Sequence, residues 1–376
     1  MSKLKIMSVV GTRPEIIKLS RIIPKLDEYF NHIFINTSQN FDYELNKIFF
    51  KDLGIRSPDI DMNLREENAS KTIAKVIEKT DSLIKKHKPD AFLILGDTNS
   101  CLSCISAKRN KVPIFHIEAG NRCFDLRVPE EINRKIIDHT SDINLTYSTI
   151  AREYLVHEGL PKDQIIKIGS PMKEVLNFYK NKINKSKILN KLDLKKKDYV
   201  LISLHREENV DSAENLKKFI EILKLLSVKE KKKIIISTHP RTRKNLEKLD
   251  LKNLSKLYFL KPFCFTDYIK LQQESHFVMS DSGTITEESS LLNFPAINLR
   301  ETHERPEGNE ESSVMFSSFD LNKLEQVIDI LKSQKRGNQR TLETVKDYET
   351  SNVSEKIIRI ILSYTEFVNK RTWKKY

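Results

Sequence analysis

Two patterns of apolar positions alternate along the chain. Short β-rich runs recur, and amphipathic helical stretches lie between them. Ten runs are predicted strands: KIMSVV, HIFINT, AFLILG, VPIFHIE and INLTYS in the first half, and YVLISLH, KIIIST, LYFL, HFVMSD and AINLR in the second. This alternation predicts an α/β fold in which parallel sheets are covered by helices, arranged as two similar halves.

A helix is clearly predicted after the first strand of the second half. Apolar residues from 216 to 226 recur at helical intervals, after Asp211 and Glu214 at the positions of an N-cap and its reciprocal partner. A second apolar series, from 357 to 367, predicts a closing helix near the C-terminus.

The length of 376 residues accommodates two domains, each with its own core. A Lys-rich stretch from about 181 to 198 lacks a strand pattern and separates the halves. We therefore expect an N-terminal Rossmann-like domain over 1–175 and a C-terminal Rossmann-like, nucleotide-binding domain over 190–355. The closing helix, 356–376, is expected to pack back toward the N-terminal domain.

The net charge of +13 is compatible with nucleic acid, an anionic membrane surface or an anionic small substrate. The lysine runs carry no interleaved aromatic residues, which favours a solvated surface over a nucleic-acid platform. The apolar run before Arg13 is far below the roughly 18 residues of a membrane span. We expect a cytoplasmic protein without nucleic-acid or membrane partners.

The four cysteines are too few and too scattered for a disulfide scaffold, which agrees with a reducing compartment. Cys101 and Cys104 form a CxxC, but no second ligand pair accompanies them, and CLSC opens an apolar helix after a strand. No metal site is predicted.

The ends of the predicted strands are unusually polar. In open α/β sheets, ligands bind beyond the carboxyl ends of the strands. Glu118 and His205 directly end apolar runs, where a buried charge or imidazole needs a specific partner. These positions indicate a functional cleft between two facing domains.

The glycine pattern disfavours two common cofactors. None of the nine glycines is separated from the next by a single residue, so the dinucleotide fingerprint GxGxxG cannot occur. A Walker A motif is also absent from the sequence. NAD-dependent oxidation and an ATP-dependent step are both disfavoured, and no cofactor is predicted.

The remaining pattern suits a diphosphate. Ser282, Gly283 and Thr284 follow the strand HFVMSD and precede a helical stretch, so their backbone N–H groups would lie at a helix N-terminus. Arg305 in HERPEG adds a planar guanidinium that suits phosphate, and Arg13 could approach from the other domain.

An ordered set of motifs carries a family resemblance. It comprises GTRPE at 11–15, GDT at 96–98, EAG at 118–120, PEE at 129–131, HREEN at 205–209, DSG with EE at 281–288 and ERPE at 304–307. The set resembles the non-hydrolysing UDP-N-acetylglucosamine 2-epimerase family, from residue 4 to beyond residue 310. The resemblance implies two Rossmann-like domains of the GT-B type facing each other across a substrate cleft, usually in a homodimer.

The resemblance also implies roles for individual residues around a UDP-sugar. Arg13 and Lys18 would lie near the phosphates and sugar, and three carboxylates, Asp97, Glu118 and Glu130, around the sugar ring. His205 would be the catalytic-site histidine, Ser282 and Gly283 the diphosphate loop, Glu288 the ribose contact, Arg305 the phosphate arginine and Tyr268 an aromatic near the uracil. For Asp97, simple capping of the helix that begins near Thr98 is the alternative.

Three departures from the family pattern bear on substrate and regulation. EAGLR is EAGNR here, DSGGIQEE is DSGTITEE, and the usual Gln-His after the second strand is Gln39-Asn40. The last belongs to a second, regulatory UDP-sugar site in bacterial members. The combination of EAGNRCFD, HREENVDS, SDSGTITEES and HERPEG resembles the branch that converts UDP-2-acetamido-2,6-dideoxy-L-talose to its L-fucosamine epimer. Such sugars go into capsule and O-antigen, and this substrate and UDP-GlcNAc both stay open.

The implied reaction is inversion of carbon 2. That C–H bond has no adjacent carbonyl, so a carboxylate base alone cannot remove its proton. Departure of UDP from carbon 1 would acidify it and leave a glycal with a double bond between carbons 1 and 2; reprotonation from the other face and return of UDP would complete the inversion. A GT-B glycosyltransferase, a hydrolysing epimerase and a non-enzymatic nucleotide-sugar sensor are the alternatives.

Overall fold

The computed structural model describes residues 3–38, 43–64, 66–204, 213–238, 256–300, 302, 304–317 and 319–375. The chain divides into two compact units. The first consists of Met1–Phe178 with Lys346–Tyr376, and the second of Tyr179–Val345. A compact unit is not the same as a domain that folds on its own. The domain bounds predicted from the sequence therefore stay a prediction.

The first unit is built on a seven-stranded parallel sheet of order β3-β2-β1-β4-β5-β6-β7. Its strands are β1 (Lys5–Val10), β2 (Asn31–Asn36), β3 (Ile60–Asp61), β4 (Ala91–Leu95), β5 (Ile114–Ala119), β6 (Ile143–Thr146) and β7 (Ile165–Lys167). Every residue of β4 is buried, as expected for a strand covered by helices on both faces.

The helices of the first unit that precede the second unit lie between and after these strands. They are α1 (Arg13–Leu19), α2 (Ile22–Tyr29), α3 (Tyr43–Leu53), α4 (Ala69–His87), α5 (Cys104–Arg109), α6 (Pro129–Thr140), α7 (Thr149–His157) and α8 (Met172–Lys185, whose last residues enter the second unit). Cys101 and Cys104 are buried free thiols in the core under α4 and α5.

The second unit is built on a six-stranded parallel sheet of order β10-β9-β8-β11-β12-β13. Its strands are β8 (Tyr199–Leu204), β9 (Lys233–Thr238), β10 (Leu257–Leu260), β11 (Val278–Ser280), β12 (Ala296–Asn298) and β13 (Met315–Phe316). Its helices are α9 (Ile188–Lys191), α10 (Ala213–Lys229), α11 (Phe265–Glu274), α12 (Ile285–Leu292), α13 (Pro306–Glu310) and α14 (Leu321–Lys332).

The α/β class with two Rossmann-like parallel sheets is confirmed. All ten predicted strands are present, as is the predicted helix over 216–226, which is part of α10; its predicted cap, Asp211, lies outside the described residues. Three strands were missed: β3, β7 and β13 are two or three residues long and lie at sheet edges, so no extended apolar run marks them.

Both sheets reverse their strand order at one point. In the first sheet the reversal lies between β1 and β4, and in the second between β8 and β11. The turns after neighbouring strands diverge there, so each sheet has a crevice at its carboxyl edge. Arg13 and Asp97 follow the two strands beside the first crevice, and the turn 282–284 follows β11 beside the second.

The C-terminal segment returns to the first unit. Its helix α15 (Val353–Arg371) packs against α2. The Asp347 carboxylate accepts from the Thr149 backbone N–H at 3.0 Å and from Lys167 at 2.7 Å, which anchors the segment beside β7. Within the described residues, no helix is both long enough and apolar enough to cross a membrane.

Candidate functional site

Lys18 and Glu118 form a buried ion pair at the carboxyl edge of the first sheet. Lys18 Nζ lies 2.5 Å from Glu118 Oε2, with side chains 3% and 10% exposed. The Tyr147 hydroxyl donates to the same oxygen at 3.3 Å, and the Asn121 amide donates to Oε1 at 3.4 Å. The pairing of these two predicted residues leaves a carboxylate that is shielded from water yet compensated by a cation.

A β-bulge aims the Glu118 side chain. The pairing of β5 with β6 shifts register between Ile117 and Ala119, and Glu118 has φ +72°, a left-handed conformation that is costly for a residue with a Cβ. Gly120 follows at φ +82°, and a Cβ there would lie 2.3 Å from the Ala151 carbonyl oxygen. Backbone strain of this kind persists where the surroundings hold it, and it clusters at functional sites.

Asp97, which follows β4, is held by a chain of buried charges from α6. Arg134 Nε donates to Asp97 Oδ2 at 2.7 Å, and Arg134 Nη1 donates to Glu131 Oε2 at 2.9 Å. Glu131 also accepts from the backbone N–H groups of Cys123 and Phe124, both at 3.1 Å. The Arg134 guanidinium therefore fixes the Asp97 carboxylate. Simple capping of a helix would not require this contact.

The two glutamates of PEE have different environments. Glu131 is fully buried, and although burial raises its pKa, the hydrogen bonds from Cys123 and Arg134 outweigh burial and lower the pKa below its ordinary value. Glu130, the predicted ligand of the sugar ring, is half-buried. Glu131 therefore holds the surrounding backbone and Arg134 in place, and Glu130 remains the candidate ligand of the sugar ring.

A second buried network lies beneath the turns after β4 and β5. His116 contacts Asp138 at 2.9 Å through Nδ1 and the Gly96 carbonyl at 3.0 Å through Nε2. Asp138 also accepts from Arg122 at 2.6 Å and from the Gly120 N–H. Burial opposes ionisation of Asp138, but His116 and Arg122 outweigh it and lower its pKa.

In the second unit, Ser282, Gly283 and Thr284 form the turn between β11 and α12, as predicted. Ser282 Oγ lies 3.0 Å from Thr284 Oγ1, and the Ser282 N–H donates to Ser280 Oγ at 3.1 Å. A Cβ on Gly283 would lie 2.3 Å from Glu304 Oε1, so the Glu304 carboxylate packs closely on the backbone of this turn. Glu304 in turn pairs with Arg300 at 2.9 Å.

Arg305, the predicted phosphate arginine, is 3% exposed and lies 3.3 Å from Glu287 of α12. Gly308 of α13 packs closely on the same helix, because a Cβ there would lie 2.0 Å from Thr286 Cγ2. Arg305 and Gly308 are thus packed against the helix whose first turn carries the predicted anion site.

Tyr268 and Glu288, predicted for the nucleoside end of the substrate, lie close together. Burial and the nearby charge of Glu288 raise the pKa of the Tyr268 hydroxyl. The hydroxyl forms hydrogen bonds with the side chains of Ser203 and Ser280, at the ends of β8 and β11. Glu288 accepts from Gln272 Nε2 at 2.6 Å. A phenol, a carboxylate and an amide therefore meet beside the β8–β11 crevice.

His205 lies outside the described residues, and the predicted roles of all the site residues stay predictions. Several residues that contact the predicted site residues or their turns were not predicted from the sequence. They are Glu15, Tyr147, Glu131, Arg134, Gln272 and Arg300. Glu15 and Glu131 stand inside the motifs GTRPE and PEE, so those motifs gave a signal; the other residues gave none. Among the described residues, no group of three or more metal-ligating side chains occurs.

Comparisons with known proteins give a consistent family. The family model described as UDP-N-acetylglucosamine 2-epimerase matches residues 25–362. A solved UDP-N-acetylglucosamine 2-epimerase from Rickettsia bellii is 50% identical, with a TM-score of 0.94, covering 99% of this chain and 100% of that one. The Methanocaldococcus jannaschii UDP-GlcNAc 2-epimerase, solved with UDP-GlcNAc and UDP, is 31% identical, with a TM-score of 0.89, covering 96% and 100%.

One relative is named for a different substrate. The UDP-2,3-diacetamido-2,3-dideoxy-D-glucuronate 2-epimerase of Pseudomonas aeruginosa is 32% identical over 307 residues, which are 80% of this chain and 85% of that protein. With the two parallel sheets, the similar structures confirm the predicted GT-B type of fold.

Proposed function

The chain belongs to the UDP-N-acetylglucosamine 2-epimerase family and is an isomerase, and from that premise we propose that it inverts carbon 2 of a UDP-linked N-acetylhexosamine by eliminating and re-adding UDP. The observation that carries the proposal is the Lys18–Glu118 pair, a desolvated carboxylate held by a cation and a phenol at the carboxyl edge of a Rossmann-like sheet. A carboxylate in such a position suits proton transfer at a sugar carbon.

The proposed reaction has two halves. UDP leaves carbon 1 with both electrons of the C–O bond, and the proton leaves carbon 2, which gives a glycal with a double bond between carbons 1 and 2. A proton then enters carbon 2 from the opposite face, and UDP oxygen adds back to carbon 1. Only a proton and UDP leave and return, and no hydride is transferred in either half, so this route needs no nicotinamide oxidation.

The carboxylates would share the proton traffic. Inversion needs a group on each face of carbon 2, and Asp97, Glu118 and Glu130 are the candidates. Arg134 keeps Asp97 oriented, and the bulge aims Glu118. His205, for which the family resemblance implies a catalytic role, is proposed as a further member of this set.

The diphosphate would be held by the second unit. The turn Ser282–Thr284 lies at the start of α12, where backbone N–H groups favour an anion. Arg305, together with Arg13 and Lys18 in the first unit, is proposed to neutralise the leaving UDP, and donors that stabilise charge developing in the transition state contribute most to catalysis. Tyr268 and Glu288 are proposed for uracil and ribose.

UDP-GlcNAc, giving UDP-ManNAc, is the first substrate to test, because solved relatives carry that name and one was solved with that ligand. The 6-deoxy-L-talose analogue, suggested by the EAGNR departure, is the second. The Pseudomonas relative supports testing a 2,3-diacetamido uronate as well. We further propose a cytoplasmic homodimer that supplies sugars for cell-surface polysaccharide.

The test is a substrate panel followed by proton NMR, without added cofactor or acceptor. Conversion of one of these UDP-sugars to its carbon-2 epimer until a fixed ratio is reached, from either direction, supports the proposal. Release of free UDP that rises only when a sugar acceptor is added would support a GT-B glycosyltransferase, and release of free N-acetylmannosamine a hydrolysing enzyme.

A further inference from the structure

Glu15 is a buried carboxylate to which the proposed mechanism gives no part. It is the third residue of α1, and it is 2% exposed. In the part of the chain that the structure describes, its hydrogen-bond donors are backbone N–H groups and hydroxyls, and no Lys, Arg or His pairs with it. Burying a carboxylate without a cation costs free energy, and these hydrogen bonds are what offsets the cost.

Those hydrogen bonds join two turns of the candidate site. On the β1 side, Glu15 Oε2 accepts from the Gly11 N–H at 2.5 Å and from the Thr12 N–H at 3.3 Å, and Oε1 accepts from the Thr12 hydroxyl at 3.1 Å. On the β4 side, the Thr98 hydroxyl donates to Oε1 at 2.6 Å. One side chain therefore spans the crevice where the strand order reverses.

Each end of this tie adjoins a proposed substrate-contacting residue. Arg13 follows Thr12 directly, and Asp97 precedes Thr98 directly. Gly96 lies against the same side chain, since a Cβ built there would be 4.0 Å from Glu15 Cγ. A shift of either turn would move a proposed ligand of the UDP-sugar, and misplacement by about 1 Å can lower a rate by about 10²-fold.

We infer that Glu15 is a positioning residue, whose carboxylate locks the turn after β1 to the turn after β4 and so fixes Arg13 and Asp97 for the sugar diphosphate. The inference rests on the proposed function for those two residues. It also means that the N–H groups of Gly11 and Thr12 are occupied within the protein and are not available to a phosphate. In the first unit, side chains must then supply the contacts to the diphosphate.

The test compares Glu15→Gln and Glu15→Ala with Glu174→Gln. Glu174 is a matched control because it accepts from the N–H and hydroxyl of Ser354, in the same unit but remote from the strand ends, between α8 and α15. We expect the Gln variant of Glu15 to lower kcat by about 10- to 100-fold, with KM changed less than about threefold, and the Ala variant to lower it further. The control should stay within about twofold of the wild type.

Hydrogen–deuterium exchange gives a readout that is independent of turnover. In Glu15→Ala, the amides of 11–13 and 96–100 should lose protection while the strands keep theirs. Turnover equal to that of the control, or a loss of protection spread evenly over the first unit, would overturn the inference. If the wild type turns over none of the UDP-sugars, the proposed function fails, and localised exchange at both turns still decides whether Glu15 forms the lock.

Discussion

At the level of single residues, the carboxylate of Glu118 is the group on which the proposed reaction depends most. Glu118→Gln keeps the shape of the side chain but removes the base, so we expect turnover to fall by at least about 10²-fold. UDP affinity should change far less than turnover, because most of the proposed nucleotide contacts lie in the second unit and Lys18, the partner of Glu118, keeps its charge in the variant. Isothermal titration with UDP and a turnover assay measure the two effects.

Tyr147→Phe is the graded companion of that variant. It removes only the hydroxyl that donates to Glu118 at 3.3 Å and retains the ion pair with Lys18. A loss of about tenfold or less is expected, because this hydrogen bond to the carboxylate is long and the Lys18 ammonium remains beside the same oxygen. A Glu118→Gln variant as active as Tyr147→Phe would remove Glu118 from the proton-transfer steps.

Glu15 also makes a prediction about pH. Burial, only partly offset by hydrogen bonds from Thr98, Gly11 and Thr12, raises its pKa from 4.5 to about 7. Between these values the folded protein holds a proton that the unfolded chain has lost, so the contribution of Glu15 to stability falls as the pH rises through this window. On the β4 side, Cys101 interacts electrostatically with both Glu15 and Asp97.

The matching measurement is urea unfolding of the wild type and Glu15→Gln at several pH values from 5 to 8. Because glutamine does not titrate, the stability of the wild type relative to the variant should decline by up to about 3 kcal/mol over this range. Parallel pH profiles for the two proteins would mean that Glu15 does not titrate there.

At the scale of the element, the bulge in β5 predicts an inverted preference for glycine. Glu118→Gly and Glu118→Ala both remove the carboxylate, so their difference isolates the backbone. At φ +72° we expect the Gly variant to be more stable than the Ala variant by up to about 1 kcal/mol.

An exposed position in a regular strand supplies the control for the bulge. At Lys167 of β7, the Ala variant should be the more stable, since glycine weakens an ordinary strand by roughly 0.5–1 kcal/mol. Thermal unfolding of the four variants measures both differences. The same sign at both positions would contradict a strained backbone at Glu118.

At the scale of the whole molecule, the C-terminal segment belongs to the first unit and should stabilise it. Asp347→Ala removes the acceptor of the Thr149 N–H and of Lys167, with an expected loss of about 1–2 kcal/mol in unfolding free energy. Asp329→Ala, on the exposed face of α14, should change stability by less than about 0.5 kcal/mol. If Asp347→Ala changed the unfolding free energy no more than Asp329→Ala, the contacts of Asp347 would not stabilise the first unit.

Much of this architecture could be predicted from the sequence because strands covered on both faces need continuous apolar runs. KIMSVV and AFLILG satisfy that requirement, and their polar successors at 11–13 and 96–98 mark the carboxyl edge. The edge strand β13 could not be predicted, because two residues paired on one side require no apolar run.

The partners within the site could not be predicted for a different reason. Arg134 reaches Asp97 from 37 positions away, and Lys18 reaches Glu118 from 100. Periodicity places Arg134 on a helix but does not specify what the inner face of that helix meets. Motifs marked the groups that end strands, whereas the groups that orient them follow from tertiary packing.

The central claim is that this chain inverts carbon 2 through loss of its proton to solvent-exchangeable groups. Proton NMR of the purified protein with UDP-GlcNAc in D₂O, without added cofactor, tests it most directly. The account predicts deuterium at carbon 2 together with a growing UDP-ManNAc signal, both of them abolished in Glu118→Gln. Epimerisation that retains the original hydrogen at carbon 2 would contradict the account.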